Sequence, residues 1–402
     1  MVRLTCTKTT PFFSTAPEMQ ERFRAIRVFR KPEDAFEFGG DYAEYFDGLS
    51  WRDADQIFEG ALPAANDRTF TYVDRAVAVG HTYAYWLAGA DGDPTGPVAV
   101  KVRDPQVWWS CAEVARRMST LATAYPDRVE ASTIGQSVRG RDILAIRIGH
   151  APRRIGLVGV VHAGESGAEL MLPVFERLLR DDSALLDAVS IAAIPVVNPD
   201  ERERLVAGVP WYLRTNANGV DLNRNFPAAW ETVERGYGLV SSEPGSATYR
   251  GPHPASEPET RAVMDFLREQ APEVVYSFHC LASVCGMSFL GPKCGQADAA
   301  YAQSCRDLAT TYGLGMEPTF PADKLLSFGT TSGSLPAWCC AELGIPALDI
   351  EMSGLEEKAL AQCRADATNV PLLDEYRQRH FGGIRAVLER TAARLDVPPT
   401  IA

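Results

Sequence analysis

Four apolar runs, at residues 155–161, 191–197, 274–278 and 347–350, are separated by stretches of helical periodicity. Runs of this length without polar alternation belong to strands covered on both faces, because a half-solvated strand would place a polar residue at every second position. Between them, Ser110-Cys111-Ala112-Glu113 has capping-box spacing ahead of Val114, Met118 and Leu121 on one helical face. Ser256-Glu257-Pro258-Glu259 repeats the signal, with Ser256 placed to cap and Glu259 to answer it. Strands alternating with helices imply an α/β domain on a mostly parallel sheet.

Residues 25–102 read differently, rich in strand signals with turn residues at Gly39-Gly40, Asn66-Asp67 and from Gly92 to Pro97. Tyr83, Tyr85 and Leu87 alternate with Thr82, Ala84 and Trp86, the period-2 pattern of a half-buried strand, and residues 98–102 can pair with it across the Gly/Pro turn. The phrase from Tyr72-Val73-Asp74 to Gly80-His81-Thr82-Tyr83 resembles the later strands of a fibronectin type III domain, which implies a small all-β sandwich without chemistry of its own. Arg103-Asp104-Pro105-Gln106 makes a linker, and 402 residues exceed one ordinary core. The expectation is an accessory domain at 1–106 and a larger α/β domain at 107–402, with Trp108-Trp109 packing at their junction.

A formal net charge of −12 repels both a phosphate backbone and an anionic membrane, so neither nucleic acid nor membrane is expected as partner. No stretch approaches the ~20 apolar residues of a membrane span, and residues 1–13 lack the apolar run of a secretory leader. The nine cysteines are odd in number and include the adjacent Cys339 and Cys340, unlike a disulfide framework. These features point to reduced thiols in a cytoplasmic protein.

His162-Ala163-Gly164-Glu165 follows the first apolar run directly, so both side chains emerge at the carboxyl end of a buried strand, where open α/β sheets place their ligands. An imidazole and a carboxylate so close can share one ion, and a catalytic zinc takes three protein ligands plus water. Among the six histidines, His279 also ends an apolar strand and is the best candidate for the third. Taken alone, this spacing equally describes polar residues satisfied at strand ends. Further on, the polar segment 216–226 carries Asn223 and Arg224, an amide beside a planar fork, both suited to a carboxylate. Near the end of the last apolar run, alternation puts Asp349 and Glu351 on one side of the strand.

With these motifs joined to Asn198-Pro199-Asp200 and the segment from Ser256 to Glu259, the chain resembles the zinc carboxypeptidases of the carboxypeptidase A type from about residue 109 to about residue 395. The resemblance implies a mixed, mostly parallel sheet flanked by helices and one zinc ion held by His162, Glu165 and His279. It implies Glu351 as general acid/base with Asp349 in support, Arg214 at the scissile carbonyl, and Asn223 and Arg224 on the terminal carboxylate of a small peptide or amide substrate. Phe328 stands where the family has a tyrosine that closes over the substrate, and a phenyl ring cannot donate a hydrogen bond. Leu335 stands where side-chain preference is set and favours an uncharged terminal residue, while Gly164 replaces an arginine of the secreted members and favours short substrates. Residues 214–227 are also similar to bacterial murein-peptide amidases. Three readings follow: a carboxypeptidase, an amidohydrolase acting on a γ-glutamyl, cell-wall peptide or biosynthetic amide, and a metal-binding but catalytically silent recognition protein.

Overall fold

A computed structural model of the chain describes residues 1–7, 25–33, 48–61, 69–89, 92–165, 167–210, 213–232, 240–280, 288–319, 326–352 and 370–393. The turns expected at Gly39-Gly40 and Asn66-Asp67 lie outside the described residues. The chain divides into two compact units, Met1–Asp104 with Val206–Trp211, and Pro105–Leu205 with Tyr212–Ala402.

In the first unit, β1 (Val2–Thr7) pairs antiparallel with β4 (Thr69–Asp74), and β2 (Ala25–Pro32), β3 (Asp55–Ala61), β5 (Thr82–Gly89) and β6 (Thr95–Lys101) form an antiparallel sheet in the order β3-β2-β5-β6. Pairing across the Gly/Pro turn sets Tyr83 opposite Val100 and Tyr85 opposite Val98. The half-buried reading of β5 is corrected, because the strand is buried on both faces. Tyr83 and Tyr85 pack with Val2, Leu4 and Val28, whereas Ala84, Trp86 and Ala88 pack with Phe29. The alternation therefore separates two apolar clusters rather than core from solvent. Tyr85 keeps its hydroxyl satisfied inside by donating to Asp74, which also holds Arg30.

The second unit centres on eight strands in the order β13-β12-β14-β11-β9-β10-β8-β7. Here β7 is Val129–Gln136, β8 Asp142–Ile148, β9 Arg154–Gly159, β10 Ser190–Ile194, β11 Val274–Cys280, β12 Ser288–Pro292, β13 Leu326–Thr330 and β14 Ala347–Met352. The inner four, β10-β9-β11-β14, are parallel, while β7, β8 and the β12–β14 pairing are antiparallel, which makes the sheet mixed and mostly parallel. Seven helices concern the argument: α1 (Cys111–Ala124), α2 (Ala168–Asp181), α3 (Pro199–Val206), α4 (Pro258–Gln270), α5 (Ala299–Met316), α6 (Leu335–Trp338) and α7 (Val370–Ala393). Ser110 caps α1 by accepting from the Glu113 N–H, as its spacing predicts. Ser256 does not cap α4; Glu257 occupies that place with Pro258 after it. Long-range partners win the side chains instead, since Ser256 bonds Asn225 and Glu257, and Glu259 accepts from the Val138 N–H and from Asn216.

Alternation along β11 decides where chemistry can sit. Tyr276 and Phe278 face α5 and α7, with rings 5.0 Å from Tyr312 and 5.2 Å from His380. Val275, Ser277 and His279 therefore face the other way, towards the apolar cluster that Val275 and Ala347 share with α4 residues, Leu335 and Trp338. From β9 the chain builds outward in both directions, to β10 on one side and β11 on the other, so the carboxyl ends of β9 and β11 flank a topological switch point, the usual crevice for ligands in such sheets. Trp108 and Trp109 are buried in the second unit, near the guanidinium groups of Arg202 and of Arg117 and Arg377 respectively. Among the described residues no helix is long and apolar enough to cross a membrane.

His380 makes acid stability testable. It is fully buried with Nδ1 2.7 Å from the Tyr312 hydroxyl, and burial pushes its pKa from 6.5 down to about 3. Between those values the unfolded chain binds a proton that the folded chain does not, so the contribution is intact above pH 6.5 and is lost as pH falls. Stability should drop by about 2 kcal/mol from this group between pH 6.5 and pH 5. Urea unfolding at several pH values checks this, and His380→Gln should flatten that slope; an unchanged slope contradicts it.

Candidate metal centre

The chain turns sharply after β9. Val160 has a φ of 50°, and the following turn carries His162 and Glu165 inward, both almost fully buried. His279, 117 residues later in the chain, comes in from β11 beside it. His162 Nδ1 lies 3.0 Å from Glu165 Oε1, His279 Nδ1 lies 3.0 Å from Glu165 Oε2, and the two Nδ1 atoms are 3.3 Å apart. All three residues offer ligand atoms within 4.8 Å of one another, and among the described residues this is the single group of that kind. Two ligand atoms held about 2.0–2.1 Å from one tetrahedral ion stand roughly 3.3 Å apart. The separation and the donor set, two imidazole nitrogens and a carboxylate, fit zinc.

The outward nitrogens are engaged by carboxylates, the arrangement that fixes ring orientation and tautomer in metal-binding imidazoles. His162 Nε2 is 3.0 Å from Asp221 Oδ1, and His279 Nε2 is 3.4 Å from Asp349 Oδ1 and 3.0 Å from the Ser277 hydroxyl. Burial alone would raise the Glu165 carboxyl, but the two imidazoles outweigh it and hold the group well below the usual range. At Asp221 burial is likewise overcome, by Arg214, Arg224 and His162. His279 is raised well above its ordinary value despite burial, because Asp349 and Glu165 stabilise its cation.

Glu351 sits opposite His279 in the parallel register of β11 and β14, and Asp349 opposite Ser277, so both acids share the face that carries the imidazole. Asn223 and Arg224 occupy a single 3-10 turn, Leu222–Arg224, started by Asp221, which accepts from the Asn223 N–H. The Asn223 amide is fixed at both ends, donating to Asp349 and accepting from the Leu335 N–H. Arg224 is buried, bonded through Nη1 to the Asn223 carbonyl, and its pKa is lowered by burial first and by Arg214. Arg214 donates through Nε to Asp221 at 2.8 Å, which sets the plane of its guanidinium. Gly333, at φ 73°, crosses Arg224 so closely that a Cβ there would come within 2.2 Å of the Arg224 carbonyl oxygen.

His162, Glu165, His279, Glu351, Asn223, Arg224 and Arg214 are thus gathered at one end of the sheet. Leu335 and Phe328 stand apart. Leu335 is fully buried in the apolar cluster and meets the group through its backbone alone among the described contacts, and the Phe328 ring on β13 lies against Gly291 of β12. Asp221 and Ser277 were not singled out by the sequence reading. Asp221 had a signal, an acid two places ahead of Asn223; Ser277 had none beyond sharing a face with His279.

The family model described as zinc carboxypeptidase matches residues 114–365. A metallocarboxypeptidase A-like protein of Trichophyton verrucosum is 32% identical over 38% of this chain and 38% of its own length. Murein peptide amidase A of Escherichia coli is 35% identical over 36% of this chain and 57% of its own. The chain thus spans less than two thirds of the length of these curated relatives. The crystal structure of carboxypeptidase A from Helicoverpa armigera superposes with a TM-score of 0.59 at 21% identity, covering 73% of this chain and 76% of that one, a likeness of fold.

Proposed function

The chain belongs to the zinc carboxypeptidase family, and on that premise we propose that it hydrolyses an amide bond next to a free carboxylate, with zinc on His162, Glu165 and His279. The observation that carries the proposal is the convergence of the two Nδ1 atoms and the Glu165 carboxylate, each imidazole backed by its own acid. When bound, zinc supplies Lewis acidity for the scissile carbonyl and for water. Glu351, on the strand beside His279, takes the proton of the attacking water and hands it to the leaving amine. Arg224 and Asn223 receive the substrate's terminal carboxylate, and Arg214, oriented by Asp221, meets the oxyanion. The free cysteines among the described residues support a reducing, cytoplasmic setting.

A second reading, an amidase on a γ-glutamyl or cell-wall peptide linkage, is favoured by the 35% identity to the murein peptide amidase. A panel of N-acylated dipeptides with apolar, acidic and basic termini, run beside γ-D-glutamyl-diaminopimelate peptides, separates the two. Cleavage of the dipeptides supports the carboxypeptidase, and cleavage of the γ-linked peptides alone supports the amidase. Bound zinc with no member cut revives the silent recognition protein. On whichever substrate is cut, Arg214→Ala should lower turnover on the order of 10²–10³ with zinc content unchanged; co-loss of zinc would show that Arg214 acts through Asp221 instead.

A further inference from the structure

Arg202 has no part in the chemistry above, yet it is fully buried directly behind the ligand turn. It comes from α3. Its Nη1 donates to the carbonyls of Ala163 at 3.0 Å and Glu165 at 2.9 Å, so one guanidinium nitrogen holds the backbone on both sides of Gly164. Its Nε donates to the Trp109 carbonyl at 3.1 Å, its Nη2 bonds Glu169 on α2, and the Trp108 ring lies 5.0 Å away. Glu169 closes the circuit, accepting from the Trp109 N–H at 2.9 Å and the Gly167 N–H at 3.3 Å, while Arg377 on α7 donates to its carbonyl.

The turn needs such a clamp. Val160 is β-branched and sits in the left-handed region, which such residues avoid. Gly159 and Gly167 approach so closely that a Cβ on either would overlap the other's backbone. A turn in that conformation keeps its shape only where its surroundings over-determine it. Two planar donors from one Arg202 nitrogen to two carbonyls do so at the positions next to His162 and at Glu165 itself; a lysine, with a point charge and no fork, cannot reproduce the set.

We infer that Arg202 is a positioning residue for the metal, setting zinc affinity and coordination shape by holding the 162–165 turn; the inference rests on the zinc reading of that turn. The competing role is neutralisation of the buried Glu169 alone. Zinc dissociation constants by chelator competition, with absorption spectra of the Co²⁺-loaded protein, should be compared for wild type, Arg202→Lys, Arg202→Met and the double variant Arg202→Met with Glu169→Met. The double variant removes both buried charges, so it avoids the uncompensated Glu169 that Arg202→Met alone would leave. A positioning role weakens zinc binding about 10–100-fold in the double variant, with altered Co²⁺ bands, and gives an intermediate loss for Arg202→Lys. Wild-type affinity and an unchanged Co²⁺ spectrum in the double variant overturn the inference and leave Arg202 a charge partner only. Failure of wild type to bind either ion is a different result, which removes the zinc reading itself.

Discussion

Glu351→Gln should lower turnover by on the order of 10²–10⁴ while bound zinc stays at the wild-type level. The substitution keeps size and strand register, so β14 still pairs with β11 and Asp349 still reaches His279 and Asn223. What it removes is the carboxylate that stands opposite His279 in the pairing of β11 and β14. An amide cannot take the water's proton, so the loss should appear in kcat with KM little changed. The measurement is steady-state kinetics with zinc counted per chain. Turnover near wild type would move the base elsewhere, with Asp349 next in line, and would also loosen the assignment of Asp349 as the partner of His279.

His279→Ala should cost the protein its metal. It removes one of three ligands, and its effect on affinity should exceed the roughly 10–100-fold that loss of an outer partner causes. It also leaves Glu165 and Asp349 buried without the cation or metal between them, since both lie within 3.4 Å of that ring. Zinc per chain after dialysis should fall well below one, and activity with it, whereas His162→Ala should give the same outcome from the neighbouring strand. Stoichiometric zinc in both variants would mean that the ion sits elsewhere, and the 3.3 Å spacing of the two Nδ1 atoms would then need another explanation.

The positions of His162 and His279 were legible because buried strands announce themselves by unbroken apolar runs and both residues stand where such runs end, whereas their reading as ligands came only with the family resemblance. Asp349 was legible as a support for a similar reason, since period-2 alternation places it beside Glu351 whatever the rest of the fold does. Local patterns failed where distant partners compete for the same atoms. Ser256 and Glu259 have capping-box spacing, but Asn225, Val138 and Asn216 take their side chains. Strand β5 reads as half-buried because nothing in its own sequence records that two separate apolar clusters flank it. Arg202 was invisible for the same reason: an arginine in a charged helical stretch reads as solvated, and its burial follows from the Trp109, Ala163 and Glu165 carbonyls that two separate segments bring to it.

The inner strands β10, β9, β11 and β14 are parallel neighbours, and a parallel neighbour can be reached only by a long crossover. This arrangement imposes an order on assembly. A nascent chain that has completed β9 owns His162 and Glu165 but has no partner for them until β11 docks alongside. Glu351, the proposed proton-transfer group, arrives later still, with β14. Closing such distant pairings is the slow part of folding, so on the proposed zinc assignment ion capture would report a nearly finished sheet and stabilise it by mass action once formed. Zinc offered during refolding would then act as a latch on the product rather than as a seed for it.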